Sequence, residues 1–211
     1  MIKVLIADDH PIVRRGLKEI IEDEKDLKVE CEASNTAEVL EKLRTNEIDV
    51  LLLDISMPGK SGLDLINDVK KEYPEKHILI LSGMSEELFA KRAIKSGASG
   101  YLNKESAPEL LISAIRKVFA GKKYISNKLA ELIADDLANA DINILHDKLS
   151  DREFEVLRLI GSGKSVGEIA EILNLGVTTI STYRTRILGK LNLKNNSELI
   201  QYCIKENLLT N

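Results

Sequence analysis

Cysteine is nearly missing from this chain of 211 residues. Cys31 and Cys203 are the two present, and they belong to no spaced motif. A disulfide framework is excluded, and both fit as small hydrophobes in a reduced setting. Histidine is as scarce. His10, His77 and His146 are scattered, and with two distant cysteines they argue against a structural zinc site. No apolar run approaches the ~20 residues a membrane span needs. The chain runs from Met1 straight into Ile2-Lys3-Val4-Leu5-Ile6-Ala7 without a signal-peptide cleavage region, so a cytoplasmic setting is expected. A strong charge is lacking too. The net charge is −4; residues 1–148 hold 22 Lys/Arg against 27 Asp/Glu, and residues 149–211 hold 8 against 7. Neither balance by itself points to a nucleic acid.

What is present is a chain 44% hydrophobic and 30% charged, long enough for one or two domains with real cores. Its first part alternates strictly. Strands are read at 2–7, Val29 to Ala33, Val50 to Leu53, His77 to Leu81 and Ser99 to Leu102. Helices are read to about residue 22, from Asn35-Thr36-Ala37-Glu38 to about Arg44, at about Gly62 to Glu72, at about 86–96, and from Ser106-Ala107-Pro108-Glu109 to near Gly121. Asp9 is expected to cap the first helix, with Pro11 in its first turn. Five β/α units imply an α/β domain: a doubly wound parallel sheet with right-handed crossovers and helices on both faces.

Such a sheet gathers the carboxyl ends of its strands. Asp8, Asp9, Asp54, Ser82 and Lys104 all stand just past those ends. Three carboxylates in one pocket repel one another, and a divalent cation relieves the repulsion. Oxygen ligands with room for waters and a phosphoryl group suit Mg²⁺. Asp54 is then a candidate nucleophile toward phosphorus. Lys104 would neutralise the phosphoryl oxygens and the Ser82 hydroxyl would hydrogen-bond to one.

These residues, with the loop Asp54-x-x-Met57-Pro58-x-x-x-Gly62, make residues 3–120 resemble the receiver domain of bacterial two-component response regulators. The opening Ala7-Asp8-Asp9-His10-Pro11 resembles the NarL/FixJ subfamily. The resemblance implies phosphorylation of Asp54 by a histidine kinase or a small phosphodonor. It implies Mg²⁺ held by Asp9, Asp54 and the backbone carbonyl of Ser56, with Asp8 acting through water, and Ser82 and Tyr101 as a switch pair. Glu105 stands where many receivers carry a proline, which leaves a cis peptide there open. His10 reads as the first turn of the helix, and Ser56 and Met84 as flanking residues that tune the phosphate's lifetime.

Residues 122–148 read as a polar linker with one helix at about 127–138, carried by Leu129, Leu132, Ile133 and Leu137; Asn139-Ala140-Asp141 weakens it. It either extends the receiver's packing or serves dimerisation. Beyond it, Ser150-x-x-Glu153 and Ser165-x-x-Glu168 are two capping boxes. Asn174-Leu175-Gly176 is a tight turn, and helices follow at about Val177 to Leu191 and Ser197 to Glu206. A short helix, a turn and a longer helix make a helix-turn-helix. At 100° per residue, Ile180, Ile187, Leu188 and Leu191 define the core side of the third helix. Thr178, Ser181, Thr182, Thr185, Arg186 and Gly189 define the other. Residues 177–194 hold four cations, Arg184, Arg186, Lys190 and Lys194, and no acid. Small polar groups suit base edges and cations suit phosphates.

Residues 149–206 resemble the LuxR-type DNA-binding domain. The resemblance is carried by Leu149-Ser150-x-Arg152-Glu153-x-x-Val156-Leu157, Glu168-Ile169-Ala170, Thr179-Ile180-Ser181-Thr182-Tyr183 and Ile187-Leu188-x-Lys190-Leu191. It implies that Ser181, Thr182 and Thr185 face bases and that Thr179, Tyr183 and Lys190 lie near phosphates. Ser181 replaces a common lysine, Tyr183 a common histidine and Gly176 a usual serine cap, so no target sequence carries over.

The domains expected are a phosphoacceptor receiver at 1–121, a linker at 122–148 and an all-α four-helix DNA-binding domain at 149–211. The expected protein is a transcription regulator, not an enzyme. Its phosphorylation moves Ser82 toward the phosphoryl group, turns Tyr101 inward and favours a homodimer on double-stranded DNA. The receiver would cover the recognition helix in the inactive form. A Mg²⁺-dependent phosphohydrolase of the haloacid-dehalogenase type would need an aspartate where Ser56 stands. A phosphate-independent regulator that uses the receiver only to dimerise is the remaining alternative.

Overall fold

The computed structural model describes residues 1–57, 61–138 and 145–209, which divide into two compact units, Met1–Asp135 and Asp136–Asn211. The first unit alternates β1 (Ile2–Ala7), α1 (Pro11–Glu22), β2 (Leu27–Ala33), α2 (Thr36–Thr45), β3 (Val50–Leu53), α3 (Gly62–Glu72), β4 (His77–Ser82), α4 (Glu86–Lys95), β5 (Gly100–Asn103) and α5 (Ala107–Phe119). All strand pairs are parallel, in the order β2-β1-β3-β4-β5. Residues Val50 to Leu53 are buried on both faces, as a central parallel strand covered by helices must be. α1 and α5 cover one face, where Leu17, Ile21, Leu111, Ile115 and Val118 pack on Val4, Ile6, Leu52 and Leu79. Each such side chain contributes roughly 1.5–3 kcal/mol by leaving water.

The order reverses between β1 and β3, which opens a crevice at their carboxyl ends. Asp54 N–H donates to Ala7 O at 2.8 Å and Asp8 N–H to Ala33 O at 3.1 Å, so both acids are locked to the sheet where the crevice opens. Gly62, the first residue of α3, packs directly on the loop that follows Asp54. A methyl group there would press into the Ile55 backbone, 2.8 Å from its carbonyl oxygen. Gly62→Ala is therefore expected to destabilise this unit by about 1–3 kcal/mol, read as an earlier midpoint in urea unfolding; an unchanged midpoint would contradict the contact. Pro58, Gly59 and Lys60 of the same loop lie outside the described residues.

The expected cap of α1 is corrected. His10, not Asp9, occupies the N-cap, and its side chain makes no cap hydrogen bond. His10 N–H donates instead to Asp8 Oδ1 at 2.8 Å. The acid pair serves the crevice rather than the helix. At α2 the cap is Asn35, whose side chain accepts from Glu38 N–H, while Glu38 reaches back to Ser34 N–H. The peptide bonds of the described residues are all trans, and Lys104–Ser106 forms a 3-10 turn before α5.

The segment read as a linker begins at the sheet. Tyr124 N–H donates to Ser99 O and Tyr101 N–H to Tyr124 O, a parallel bridge opposite Gly100. A side chain at residue 100 would collide with Tyr124. α6 (Asn127–Ala138) follows, with Leu129 fully buried; the weakening read at 139–141 lies outside the described residues.

The second unit holds α7 (Asp151–Gly161), α8 (Val166–Ile172), α9 (Val177–Leu191) and α10 (Asn196–Lys205). Both capping boxes, at Ser150 and Ser165, are formed. Its core gathers Phe154, Leu157, Ile160, Ile169, Ile180, Ile187, Leu191 and Leu199. Asn174 ends the turn after α8 in the left-handed region at φ 55°, a conformation asparagine tolerates.

Candidate functional site

The crevice of the first unit collects one side chain from nearly every strand end. Asp8 and Asp54 are almost fully buried, at 1% and 2% exposure, and Asp9 is half-buried. Lys104 Nζ donates to Asp54 Oδ2 at 2.6 Å and lies 2.6 Å from Asp8 Oδ2. The second contact is an ion pair without hydrogen-bond alignment, because Asp8 Oδ2 has no hydrogen-bonded partner. Ser56 N–H donates to Asp54 Oδ1 at 2.9 Å. Asp54 is thus gripped at both oxygens, by a main-chain donor and a cation.

The electrostatics follow from this crowding. Burial pushes the Asp54 carboxyl above its ordinary value, against the Lys104 hydrogen bond and charge. Burial also works to lower the Lys104 ammonium, but its hydrogen bond to Asp54, its close contact with Asp8 and the charges of both carboxylates outweigh it and raise the group. A carboxylate that burial disfavours, beside a firmly charged lysine, is a site that gains from more positive charge. One ligand atom from each of Asp8, Asp9, His10 and Asp54 lies within 4.8 Å of the others. Asp9 Oδ1, like Asp8 Oδ2, is buried without a hydrogen-bond partner. Asp9 Oδ1 lies 2.8 Å from His10 Nδ1, and carboxylate oxygens gathered at that spacing fit a hard cation with oxygen preference.

Around this centre lie residues that hold it. Arg14 donates from Nη1 to Asp8 O at 2.7 Å and from Nε to Glu32 at 3.2 Å. The sequence reading missed Arg14, which nothing local sets apart from its neighbour Arg15. Ser82 ends β4 fully buried, and its Oγ accepts from Met84 N–H at 3.1 Å. Tyr101 points inward at 1% exposure, and its hydroxyl donates to Met84 O at 2.9 Å. The segment after β4 is therefore held from both Ser82 and Tyr101.

The second candidate site is α9. Thr178, Thr179, Ser181, Thr182, Thr185, Arg186 and Lys190 are exposed, and Tyr183 is half-buried. Thr178, Thr179, Thr182, Tyr183 and Arg186 line one depression. The cations divide by role. Arg184 Nε donates to Asn196 Oδ1 at 2.5 Å, which pins α9 to α10. Lys190 Nζ donates to the buried Glu153 at 2.6 Å, a tie that the sequence reading did not foresee. Arg186, among the described residues, meets no acid.

Glu153 links capping to this face. Burial alone would raise its carboxyl, but hydrogen bonds from Lys190, Ser150 N–H and the Ser150 side chain, with the ammonium's charge, hold it below the ordinary 4.5. The unfolded chain therefore binds the proton first. The stability Glu153 contributes is whole above about pH 4.5 and fades as pH falls through the lower folded value. Thermal midpoints of wild type and Glu153→Gln should converge on acidification below pH 4.5. Curves that stay parallel would contradict the tie.

Residues 4–116 match the family described as response regulator receiver domain, and residues 147–203 match bacterial regulatory proteins of the luxR family. The chain is 37% identical to the response regulator UvrY of Escherichia coli K12 over 209 residues, covering 99% of this chain and 96% of UvrY. This chain belongs to the NarL/FixJ family of response regulators. The regulator is also 38% identical to the oxygen regulatory protein NreC of Staphylococcus carnosus TM300, over 98% of this chain and 99% of NreC. Among solved structures it resembles the Salmonella typhimurium RcsB response regulator at a TM-score of 0.68 and 29% identity, covering 95% of this chain and 96% of that one. An RcsB structure bound to promoter rprA with the phosphomimetic BeF3⁻ matches at 0.65 and 30%, over 96% and 98%. The regulator carries a LuxR-type DNA-binding domain behind its receiver, and no described helix is long and apolar enough to cross a membrane.

Proposed function

We propose that this regulator takes a phosphoryl group on Asp54 from a sensor histidine kinase or a small phosphodonor, and that the modification controls dimerisation and DNA binding in the cytoplasm. The observation that carries the proposal is Asp54 itself, a buried acid at a strand end with Lys104 on one oxygen and Ser56 N–H on the other. An Asp54 oxygen attacks phosphorus, and the bond from phosphorus to the donor breaks. Asp8, Asp9 and Asp54, with the Ser56 carbonyl, would hold Mg²⁺, which neutralises phosphoryl charge when bound. Lys104 exchanges its carboxylate partner for a phosphoryl oxygen. Ser82 gives up its bond with Met84 to donate to another. Tyr101, tied to the same Met84, biases the segment after β4 toward one of two arrangements.

The segment 1–121 acts as receiver, 122–148 as linker and 149–211 as DNA-binding domain. α9 enters the major groove. Ser181, Thr182 and Thr185 face bases, with Thr178 on the same line. Thr179, Tyr183, Arg186 and Lys190 lie toward phosphates. A homodimer places two such helices about one DNA turn apart. RcsB structures with two dimers on two DNAs, and with a promoter and BeF3⁻, support that reading. The test is sizing and gel shift with and without acetyl phosphate. Donor-dependent dimerisation and tighter DNA binding are expected in wild type and absent in Asp54→Ala. Dimerisation and binding untouched by the donor would favour a phosphate-independent regulator.

A further inference from the structure

The exposed face of α9 carries hydroxyls and methyls where charge would be expected, and the direction of its hydroxyls restricts what it can read. We propose that Thr182 and Thr185 select A·T base pairs, through the N6 amine of adenine and the 5-methyl group of thymine. The proposal rests on α9 being the recognition helix.

Thr182 Oγ1 donates to Thr178 O at 3.0 Å, and Thr185 Oγ1 donates to Ser181 O at 3.0 Å. A carbonyl oxygen can only accept, so each hydroxyl has spent its one hydrogen inside the helix. What remains outward is an acceptor oxygen with a methyl group beside it. In the major groove the donors are the adenine N6 amine and the cytosine N4 amine, and thymine alone carries a methyl. An A·T pair is the one pair that offers both. Guanine presents O6 and N7, both acceptors, and would set lone pairs against lone pairs.

Two of the cations that could reverse this preference are held elsewhere. Arg184 is bound to Asn196 and Lys190 to Glu153. Arg186 lines the same depression as Thr178 and Thr182, and the proposal assigns its longer side chain to a phosphate. Gly189 continues the Thr178–Thr182–Thr185 line with open space around it. The helix can therefore approach the base edges closely enough for short side chains to reach.

The experiment uses the full chain treated with acetyl phosphate and Mg²⁺, first against a random duplex library, then by anisotropy on the selected duplex. Single adenines are replaced by purine, which lacks the N6 amine, and single thymines by uracil, which lacks the methyl. Wild type is expected to lose about 10-fold at a contacted adenine and about 4-fold at a contacted thymine. Thr182→Val keeps the methyl and should become indifferent to purine while still losing to uracil. Thr182→Ser should show the reverse, and the Thr185 pair of variants should repeat the pattern at a second position. Selected duplexes with G·C at these positions, or a purine penalty equal in wild type and Thr182→Val, would overturn the proposal alone. Failure to enrich any sequence would overturn the recognition-helix reading and this proposal with it.

Discussion

Asp54→Asn protein incubated with labelled acetyl phosphate and Mg²⁺ is expected to take up no label above background, while wild type gains an acyl phosphate that hydroxylamine removes. Asn keeps the shape of the side chain and can still accept from Ser56 N–H, so the loss isolates the nucleophilic carboxylate. The substitution should leave the fold intact. Burial holds the Asp54 carboxyl above its ordinary value, which means the charged form is held there at a cost that neutral Asn does not carry. The thermal midpoint of the variant should match or exceed that of wild type. Labelling of Asp54→Asn at wild-type level would place the acceptor elsewhere. Lys104→Ala is the companion. With Asp8 Oδ2 and Asp54 Oδ2 both losing their ammonium, it should bind metal at least as well yet lose the switch, because no side-chain ammonium remains to pull on the phosphoryl group.

Arg186→Glu should weaken DNA binding about 100-fold at low salt. Arg186 is exposed on the α9 face and meets no acid among the described residues, so its charge is available to a phosphate. Loss of one phosphate contact should flatten the slope of log affinity against log salt by about 1 and weaken all sequences alike. Reversal of charge adds repulsion to that loss. Lys190→Ala should behave differently, because Lys190 also neutralises the buried Glu153; it should lower the thermal midpoint as well as affinity. An Arg186→Glu protein that loses affinity for one sequence only would make Arg186 a base reader instead.

The candidate sites differ in how far the chain announces them. Asp8, Asp9, Asp54, Ser82 and Lys104 were legible because each follows an apolar run, and parallel alternation forces strand ends together. The boxes at Ser150 and Ser165 were legible because both partners lie within one turn. Asp9 was misread as a cap, since a carboxylate before a helix serves equally well as cap or as pocket wall. Only the position of the crevice decides between them. Arg14 holding Asp8, and Glu153 holding Lys190, were not legible, because a charged side chain carries no sign of which distant partner it meets.

By itself, the sequence determined the element order, the doubly wound sheet, the acidic strand ends and the acid-free helix, because these follow from local periodicity and chain connectivity. Tertiary structure alone decided which oxygens of Asp8 and Asp54 face Lys104. It decided that Tyr124 closes the edge of β5 and that Gly62 must lack a side chain. It also decided that Arg184 meets Asn196 and Lys190 meets Glu153. Each of these depends on groups brought within a few ångströms by folding, and at that range burial, alignment and charge set the chemistry.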